Sequence, residues 1–193
     1  MAPQPIWVDK LKPLVERDLF IRDALLQKGV LNDAYHPEME KVHLTNARKL
    51  KELIEKEGFP VLSNAGEEGV RLSWLIIQHA ISWPDFMKEC LTQIRLAAAD
   101  NDYSLELLAY TEDRVAFFEG RPQVYGTNWD WQNAELRPTP IADPDGLAAR
   151  RQAVGLPPLD LDRRTPTNEK PPKDPLTKER EFQEWLLRVG WRV

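Results

Sequence analysis

The chain has 193 residues, enough for one domain with a sizeable core, and its composition is typical of a soluble globular protein. Hydrophobic residues make up 42% and charged residues 30%, which excludes the collagenous, membrane-spanning and fully disordered classes. The 26 basic and 31 acidic residues give a net charge of -5, and no basic block alternates with aromatic residues. The sequence therefore predicts neither a nucleic-acid nor a membrane partner.

Cysteine content and the N-terminal segment favour a cytoplasmic protein. Cys90 is the only cysteine, so no internal disulfide can form, and its place on an apolar helical stripe predicts an inert core residue. Charged residues between Asp9 and Arg17 interrupt the apolar stretch that a signal peptide would need. Seven tryptophans are many for this length, and tryptophan occurs both in cores and in ligand pockets.

Apolar residues recur at helical spacing through the first half of the chain. The pattern predicts helix one over residues 8–26 and helix two over 37–57, with His43 and Asn46 on the face of helix two that should be buried. Helix three, over residues 67–81, is nearly all apolar, as expected of a helix that packs on several sides. These three helices form the predicted core.

Two more helices follow, and then the helical period is lost. Ser82 is expected to cap helix four and Ser104 to cap helix five, which ends at Gly120. Aromatic and β-favouring residues over 123–141 predict an irregular loop or a short hairpin. A short helix is expected to begin after Asp143.

Prolines mark the boundary of the C-terminal segment. Six of them lie within residues 157–175, which predicts an extended linker over 159–175 that ends the helical domain 1–158. Residues 176–193 return to a helical period with an apolar face that we expect to dock on the chain's own helices. The predicted fold is an all-α bundle of five to six helices with a loop or hairpin and this C-terminal helix.

Two clusters place reactive side chains on helices. His79 follows Gln78 at the end of helix three, where it could act as a general acid or base or remain a core histidine bonded to a backbone carbonyl. Tyr110, Asp113 and Arg114 lie off the apolar stripe of helix five. Asp113 could orient His79 and Arg114 could bind an anionic group, or the two could form a structural ion pair.

A third cluster lies in the loop after helix five. Gln123, Tyr125, Thr127 and Asn128 place four hydrogen-bonding side chains around Gly126, which permits a tight turn. The alternative is a plain solvent-facing turn.

Five motifs in this order resemble an uncharacterised bacterial family of unknown function, DUF6624. The resemblance covers about residues 40–158 and rests on Gly58-Phe59-Pro60, Trp74-Leu75-Ile76-Ile77-Gln78-His79-Ala80, Ala109-Tyr110-Thr111-Glu112-Asp113-Arg114-Val115, Gly120-Arg121-Pro122-Gln123-Val124-Tyr125-Gly126-Thr127 and Arg150-Arg151-Gln152-Ala153-Val154-Gly155-Leu156. It implies little about function, because the family has no established activity.

The chain departs from the family pattern near the predicted site. His43 stands where the family has an aspartate, Ile81 and Trp83 stand where acidic residues are common, and Asn128 replaces a glutamine. These exchanges make the expected pocket less acidic and more aromatic, which favours a different substrate or reaction.

A metal site is the alternative that the histidines leave open. Glu40 and His43 share one helix face, and with His36 or His79 they would form a set of two histidines and one carboxylate. Because the chain has only three histidines, the sequence favours no metal and no cofactor. Phosphate-binding, nucleophile-elbow and dinucleotide motifs are also missing from the sequence.

The favoured function is a cofactor-independent enzyme that transforms a small amide-, amino-acid- or peptide-like molecule as a monomer or homodimer. His79 is its acid or base, Asp113 the group that orients it and Tyr125 the third catalytic residue, while Arg114 holds an anionic group and Gln123 positions the substrate. Six further residues are predicted to bind substrate: His43, Asn46, Gln78, Trp74, Thr127 and Trp129. The alternative is a non-catalytic binding or protein-interaction module in which the same residues form a structural hydrogen-bond network.

Overall fold

The computed structural model describes residues 5–30, 35–132, 135–159, 171–172 and 174–193. Across these residues it contains seven α-helices and one two-stranded antiparallel sheet. The prediction of a mostly helical chain with a short hairpin is therefore confirmed. The chain divides into two compact units, the first with four helices and the second with three helices and the hairpin.

The first unit is built from the long helices of the N-terminal half. They are α1 (Ile6–Gln27), α2 (Pro37–Glu57), α3 (Leu62–His79) and α4 (Pro84–Ala99). Helix α1 packs against both α2 and α3, and α3 also packs against α2 and α4. The nearly continuous apolar sequence of α3 agrees with this central position.

Helices α1 and α3 run parallel and approach closely at their N-terminal ends. A Cβ atom on Gly69 would lie 3.0 Å from the Cβ atoms of both Trp7 and Ala65, so any larger residue there would force the helices slightly apart. Asp18 lies eleven residues after Trp7, and His79 lies ten residues after Gly69. Since an α-helix rises about 1.5 Å per residue, both residues lie a similar distance along their helices from the close approach. This register brings Asp18 beside His79.

One helix boundary in this unit agrees with its prediction, and one predicted cap is wrong. Helix α3 includes a first turn from Leu62, but Gly66, with φ 66°, interrupts the helical backbone, so the continuous helix begins at residue 67 as predicted. Ser82 is not the N-cap of α4, because that position is occupied by Trp83, which makes no side-chain capping hydrogen bond. The Ser82 hydroxyl instead donates a hydrogen bond to Glu40 Oε1 over 2.6 Å.

The second unit begins with α5 and ends with the C-terminal helix. Its elements are α5 (Leu105–Phe118), β1 (Trp129–Gln132), β2 (Glu135–Pro138), α6 (Leu147–Ala153) and α7 (Pro175–Val189). The strands pair antiparallel, with Trp129 opposite Pro138 and Gln132 opposite Glu135. The region predicted as a loop or hairpin is thus a loop followed by a hairpin.

Helix α7 docks on the chain itself, as its apolar face predicts. Asp174 caps its N-terminus by accepting a hydrogen bond from the Thr177 amide over 3.0 Å. The Phe118 ring at the end of α5 lies 5.7 Å from the Trp185 ring and 5.1 Å from the Trp191 ring. Aromatic stacking therefore joins the C-terminal segment to α5.

Most of the predicted linker over 159–175 lies outside the described residues. Among the helices that are described, none is long and apolar enough to cross a membrane.

Candidate functional site

Two histidines of the first unit contact one buried carboxylate, and the three side chains come from three different helices. Asp18 on α1 is 1% exposed, and its Oδ1 lies 3.2 Å from Nε2 of His43 on α2. Its Oδ2 lies 2.7 Å from Nδ1 of His79 at the end of α3. The two imidazole rings are 4.6 Å apart between centroids. We call Asp18, His43 and His79 the Asp18 cluster.

A chain of polar side chains continues from the far side of His43. The Tyr35 hydroxyl lies 2.6 Å from His43 Nδ1 and also forms a hydrogen bond with Ser82. Ser82 in turn donates to Glu40. The hydrogen bonds thus lead from the buried Asp18 carboxylate through His43, Tyr35 and Ser82 to the half-buried Glu40 carboxylate.

The two ring nitrogens of His43 have different partners. Asp18, when ionised, only accepts hydrogen bonds, so a hydrogen bond to it requires a hydrogen on His43 Nε2. The Tyr35 hydroxyl can either donate to His43 Nδ1 or accept from it. With Tyr35 as the donor, a neutral imidazole satisfies both partners at once.

The electrostatics of the Asp18 cluster keep the carboxylate ionised. Burial by itself would raise the pKa of Asp18, but the hydrogen bonds from His43 and His79 lower that pKa well below its usual range. The Tyr35 hydroxyl is affected in the other direction, because burial and then the charge of Glu40 raise its pKa. Tyr35 therefore keeps its proton at neutral pH.

Solvent reaches the Asp18 cluster at His79. The side chain of His79 is 25% exposed, against 9% for His43 and 2% for Asp18. One ligand atom from each of the three residues lies within 4.8 Å of the other two, so the cluster also has the composition of a metal centre. Its carboxylate comes from Asp18, whereas Glu40, the ligand considered from the sequence, accepts the hydrogen bond from Ser82.

Asp113 has a different set of partners from the one predicted. The carboxylate bonded to His79 Nδ1 is Asp18, while Asp113 on α5 accepts hydrogen bonds from the loop that follows its own helix. The donors are the backbone amides of Val124, Tyr125 and Thr127, at 2.7 to 3.2 Å, and the Thr127 hydroxyl at 3.0 Å. We call these four residues the Asp113 network.

Gln123 holds the same loop from within. Its side-chain amide donates to the carbonyls of Asn128 and Thr139 and to the Thr139 hydroxyl, and its oxygen accepts from the Asn128 amide at 2.6 Å. Gly126 lies in this loop with φ +69°, and a Cβ there would lie 3.0 Å from Ile141 Cδ1. These contacts give Gln123 and Thr127 a structural role, and their predicted binding of substrate stays a prediction.

The remaining predicted residues of the second unit are Arg114, Tyr125 and Trp129. Burial lowers the pKa of Arg114 to about 10, and its buried Nε has no hydrogen-bond partner among the described residues. Burial and the nearby carboxylates of Glu112 and Asp113 raise the pKa of Tyr125. Trp129 lines a cleft of about 170 Å³. That these groups meet His79 in one site stays a prediction.

Three other predicted residues lie in the first unit. Asn46 is 4% exposed and its side-chain amide donates to the Leu14 carbonyl over 3.2 Å, which ties α2 to α1. Gln78 is 3% exposed, and Trp74 is half-buried on α3. The hydrogen bond to the Leu14 carbonyl gives a structural reason for the burial of Asn46.

Asp18 is the residue that sequence reasoning missed. The predicted inner face of α1 contained Leu19, which is 42% exposed, whereas Asp18 is buried with Leu11, Val15 and Leu25. A signal was present, since Asp18 stands three residues after Val15 and seven after Leu11, the spacing of one helix face. A carboxylate on that face indicates a buried partner.

Fold and site together define a class of protein: a mostly helical chain with a buried carboxylate held between two histidines. The sequence model of a family described as a family of unknown function (DUF6624) matches residues 6–166, and the chain belongs to this family. No curated protein and no solved structure matches the chain at a significant level.

Proposed function

We propose that the chain is an enzyme that carries out acid–base chemistry on a small amide-, amino-acid- or peptide-like molecule, with the Asp18 cluster as its catalytic centre. The observation that carries the proposal is the buried Asp18 carboxylate, bonded to two imidazoles on two other helices. Two imidazoles around one carboxylate supply groups that exchange protons near neutral pH.

The exposure gradient supports the same function. Asp18 is buried and fixes the positions of the two imidazole rings, while a quarter of the His79 side-chain surface is exposed to solvent. A substrate would therefore approach from the side of His79, and the cluster would act on it either directly or through one water molecule. This arrangement is typical of a reactive group that is held in place by a buried charge.

Turnover of a substrate panel tests the proposal. Purified protein without an affinity tag would be incubated with amino-acid amides, N-acyl amino acids and dipeptides, and products followed by mass spectrometry. We expect one class to be turned over and Asp18→Asn and His79→Gln each to slow the reaction by about 100-fold or more, the range lost with a general acid or base. His36→Asn is the matched control, because His36 caps α2 through its side chain and asparagine keeps a capping group.

Two results would contradict the proposal. Turnover that survives both Asp18→Asn and His79→Gln would place the chemistry elsewhere. No turnover of any panel member by folded protein would favour the other class, a binding or interaction module in which these residues are structural.

A further inference from the structure

The Asp18 cluster has the ligand types and the spacing of a metal site. One carboxylate and two imidazoles come from three helices, and the carboxylate is almost fully buried. His43 Nε2 lies 3.2 Å from Asp18 Oδ1, and His79 Nδ1 lies 2.7 Å from Asp18 Oδ2. A divalent cation would take the place of the hydrogens in these two contacts.

We propose that Asp18, His43 and His79 bind one divalent transition-metal ion. The three helices supply one ligand atom each, and the ligand atoms lie within 4.8 Å of one another. Metal bonds of about 2.0–2.2 Å to nitrogen and oxygen place neighbouring ligand atoms roughly 3–3.5 Å apart. His43 Nε2 lies 3.2 Å from Asp18 Oδ1, which is in this range. His79 Nδ1 lies 2.7 Å from the second oxygen, Oδ2, so binding of one ion would lengthen that contact.

Tyr35 completes the pattern expected around a metal-bound histidine. Such a histidine usually donates its second ring N–H to an oxygen, which fixes the tautomer and the ring plane. Here the oxygen is that of Tyr35, 2.6 Å from His43 Nδ1, and the hydrogen bonds continue through Ser82 to Glu40. A metal ion on Nε2 would place the ring hydrogen on Nδ1, where the Tyr35 oxygen would accept it.

The donor set indicates the class of metal. Two imidazole nitrogens and one carboxylate oxygen suit zinc, iron(II) and related ions, whereas Mg²⁺ prefers oxygen ligands and tight octahedral geometry. Three protein ligands leave at least one position for water. The partly exposed side of His79 is where that water would lie.

This inference deepens the proposed function and rests on it only for the chemistry that the metal would perform. A bound divalent ion lowers the pKa of its water to near neutral, so the water rather than the His79 ring would lose and regain the proton. The inference also departs from the sequence-based expectation of a cofactor-independent enzyme. That expectation depended on a shortage of ligands, which Asp18 removes.

Titration of metal-free protein with metal ions alone tests the inference. Tag-free protein would be dialysed against a chelator, then titrated with Zn²⁺ in a calorimeter, with Mg²⁺ as the comparison ion. We expect one zinc ion per chain and a rise in melting temperature, because a ligand that binds only the folded state stabilises it. Mg²⁺ should produce neither effect.

Variants locate the ion. Asp18→Asn and His79→Gln should each weaken zinc binding by more than about 100-fold, since loss of an outer hydrogen-bond partner alone costs 10–100-fold. Tyr35→Phe should fall within that smaller range, and His36→Asn should bind zinc as the unmodified chain does. Zinc binding that is unchanged in Asp18→Asn and lost in His36→Asn would overturn the assignment.

The unmodified chain provides a measurement that does not depend on a variant folding. With three histidines in the chain, nitrogen-detected NMR can follow every imidazole ring. We expect zinc to shift His43 Nε2 and His79 Nδ1 while leaving His36 unchanged. If both ring nitrogens of His43 carry hydrogens and zinc shifts neither ring, His43 is an imidazolium paired with Asp18 and the inference is wrong.

The two proposals fail in different ways. Zinc that binds at the Asp18 cluster without any turnover would leave the metal site standing and contradict the enzyme. Turnover that persists in chelator-treated protein shown to be metal-free would leave the enzyme standing and contradict the metal site.

Discussion

Among the described residues, each compact unit contains one fully buried aspartate, and the two differ in the groups that hydrogen-bond to them. Asp18 accepts from two imidazoles on other helices, whereas Asp113 accepts from three backbone amides and one hydroxyl of a neighbouring loop. Backbone amides do not exchange protons near neutral pH, so these contacts hold the loop in place. Imidazoles do exchange protons there, so the partners of a buried carboxylate, and not its burial, indicate where chemistry can occur.

Asp113→Ala should have the largest effect on stability. The substitution leaves the amides of Val124, Tyr125 and Thr127 without their acceptor, and each buried donor left unsatisfied costs about 1–3 kcal/mol. Chemical denaturation would measure the loss. Asp113→Asn keeps one acceptor oxygen and should lose less. An unchanged denaturation midpoint for Asp113→Ala would contradict the structural role. A loss of zinc affinity in this variant would show that Asp113 also contributes to zinc binding.

Asp18→Asn should have a smaller effect on the metal-free protein. The asparagine amide can accept from only one of the two imidazoles, and a buried group left without its partner costs about 1–3 kcal/mol. The larger change appears on adding zinc, because the rise in melting temperature should disappear in this variant. If zinc raises the melting temperature of the Asp18→Asn variant as much as that of the unmodified chain, Asp18 is not a zinc ligand and the contrast with Asp113 fails.

Tyr35→Phe should cost about 1 kcal/mol, the usual net contribution of one hydrogen bond. The phenyl ring keeps the packing but removes the oxygen 2.6 Å from His43 Nδ1. Zinc affinity should fall although no ligand has been removed, which calorimetry would detect. If stability falls and zinc affinity does not, Tyr35 serves only packing and hydrogen bonding in the first unit.

Thr127→Val is the matching test in the second unit and should have the smallest effect. It removes the one side-chain donor to Asp113 in the described part of the chain but leaves the three backbone amides in place, so we expect a loss of about 0.5–1 kcal/mol. Zinc affinity should not change. A loss as large as that of Asp113→Ala would mean that the hydroxyl, and not the backbone, holds the carboxylate.

Much of the fold was predictable because the apolar periodicity is local. The pattern predicted α2 and α5 with boundaries close to those observed, and the apolar face of α7 predicted its docking on the chain itself. Errors arose where a local preference met a tertiary contact. Ser82 has the chemistry of a helix cap, but its hydroxyl is used by Glu40 on another helix.

The candidate site was predictable only in part. Polar residues on apolar faces identified His43 and His79, which do meet. Their carboxylate was not identified, because Glu40 has the shorter sequence spacing while Asp18 lies 25 and 61 positions from the two histidines. Asp113 appeared suitable because it lies beside the apolar stripe of helix five, on a flank expected to meet another element, and sequence does not reveal which donors will face a carboxylate.

The sequence by itself determined that the chain is mostly helical, which faces of most helices are buried, and that it belongs to the DUF6624 family. Local periodicity and motif order carry that information, since neither depends on contacts between distant residues. Only the tertiary structure decided that Asp18 is the carboxylate of the histidine cluster and that the tyrosine on its far side is Tyr35. The close approach of α1 and α3 at Gly69 sets their register, and a shift of one residue would rotate Asp18 away from His79 by about 100° around the helix axis.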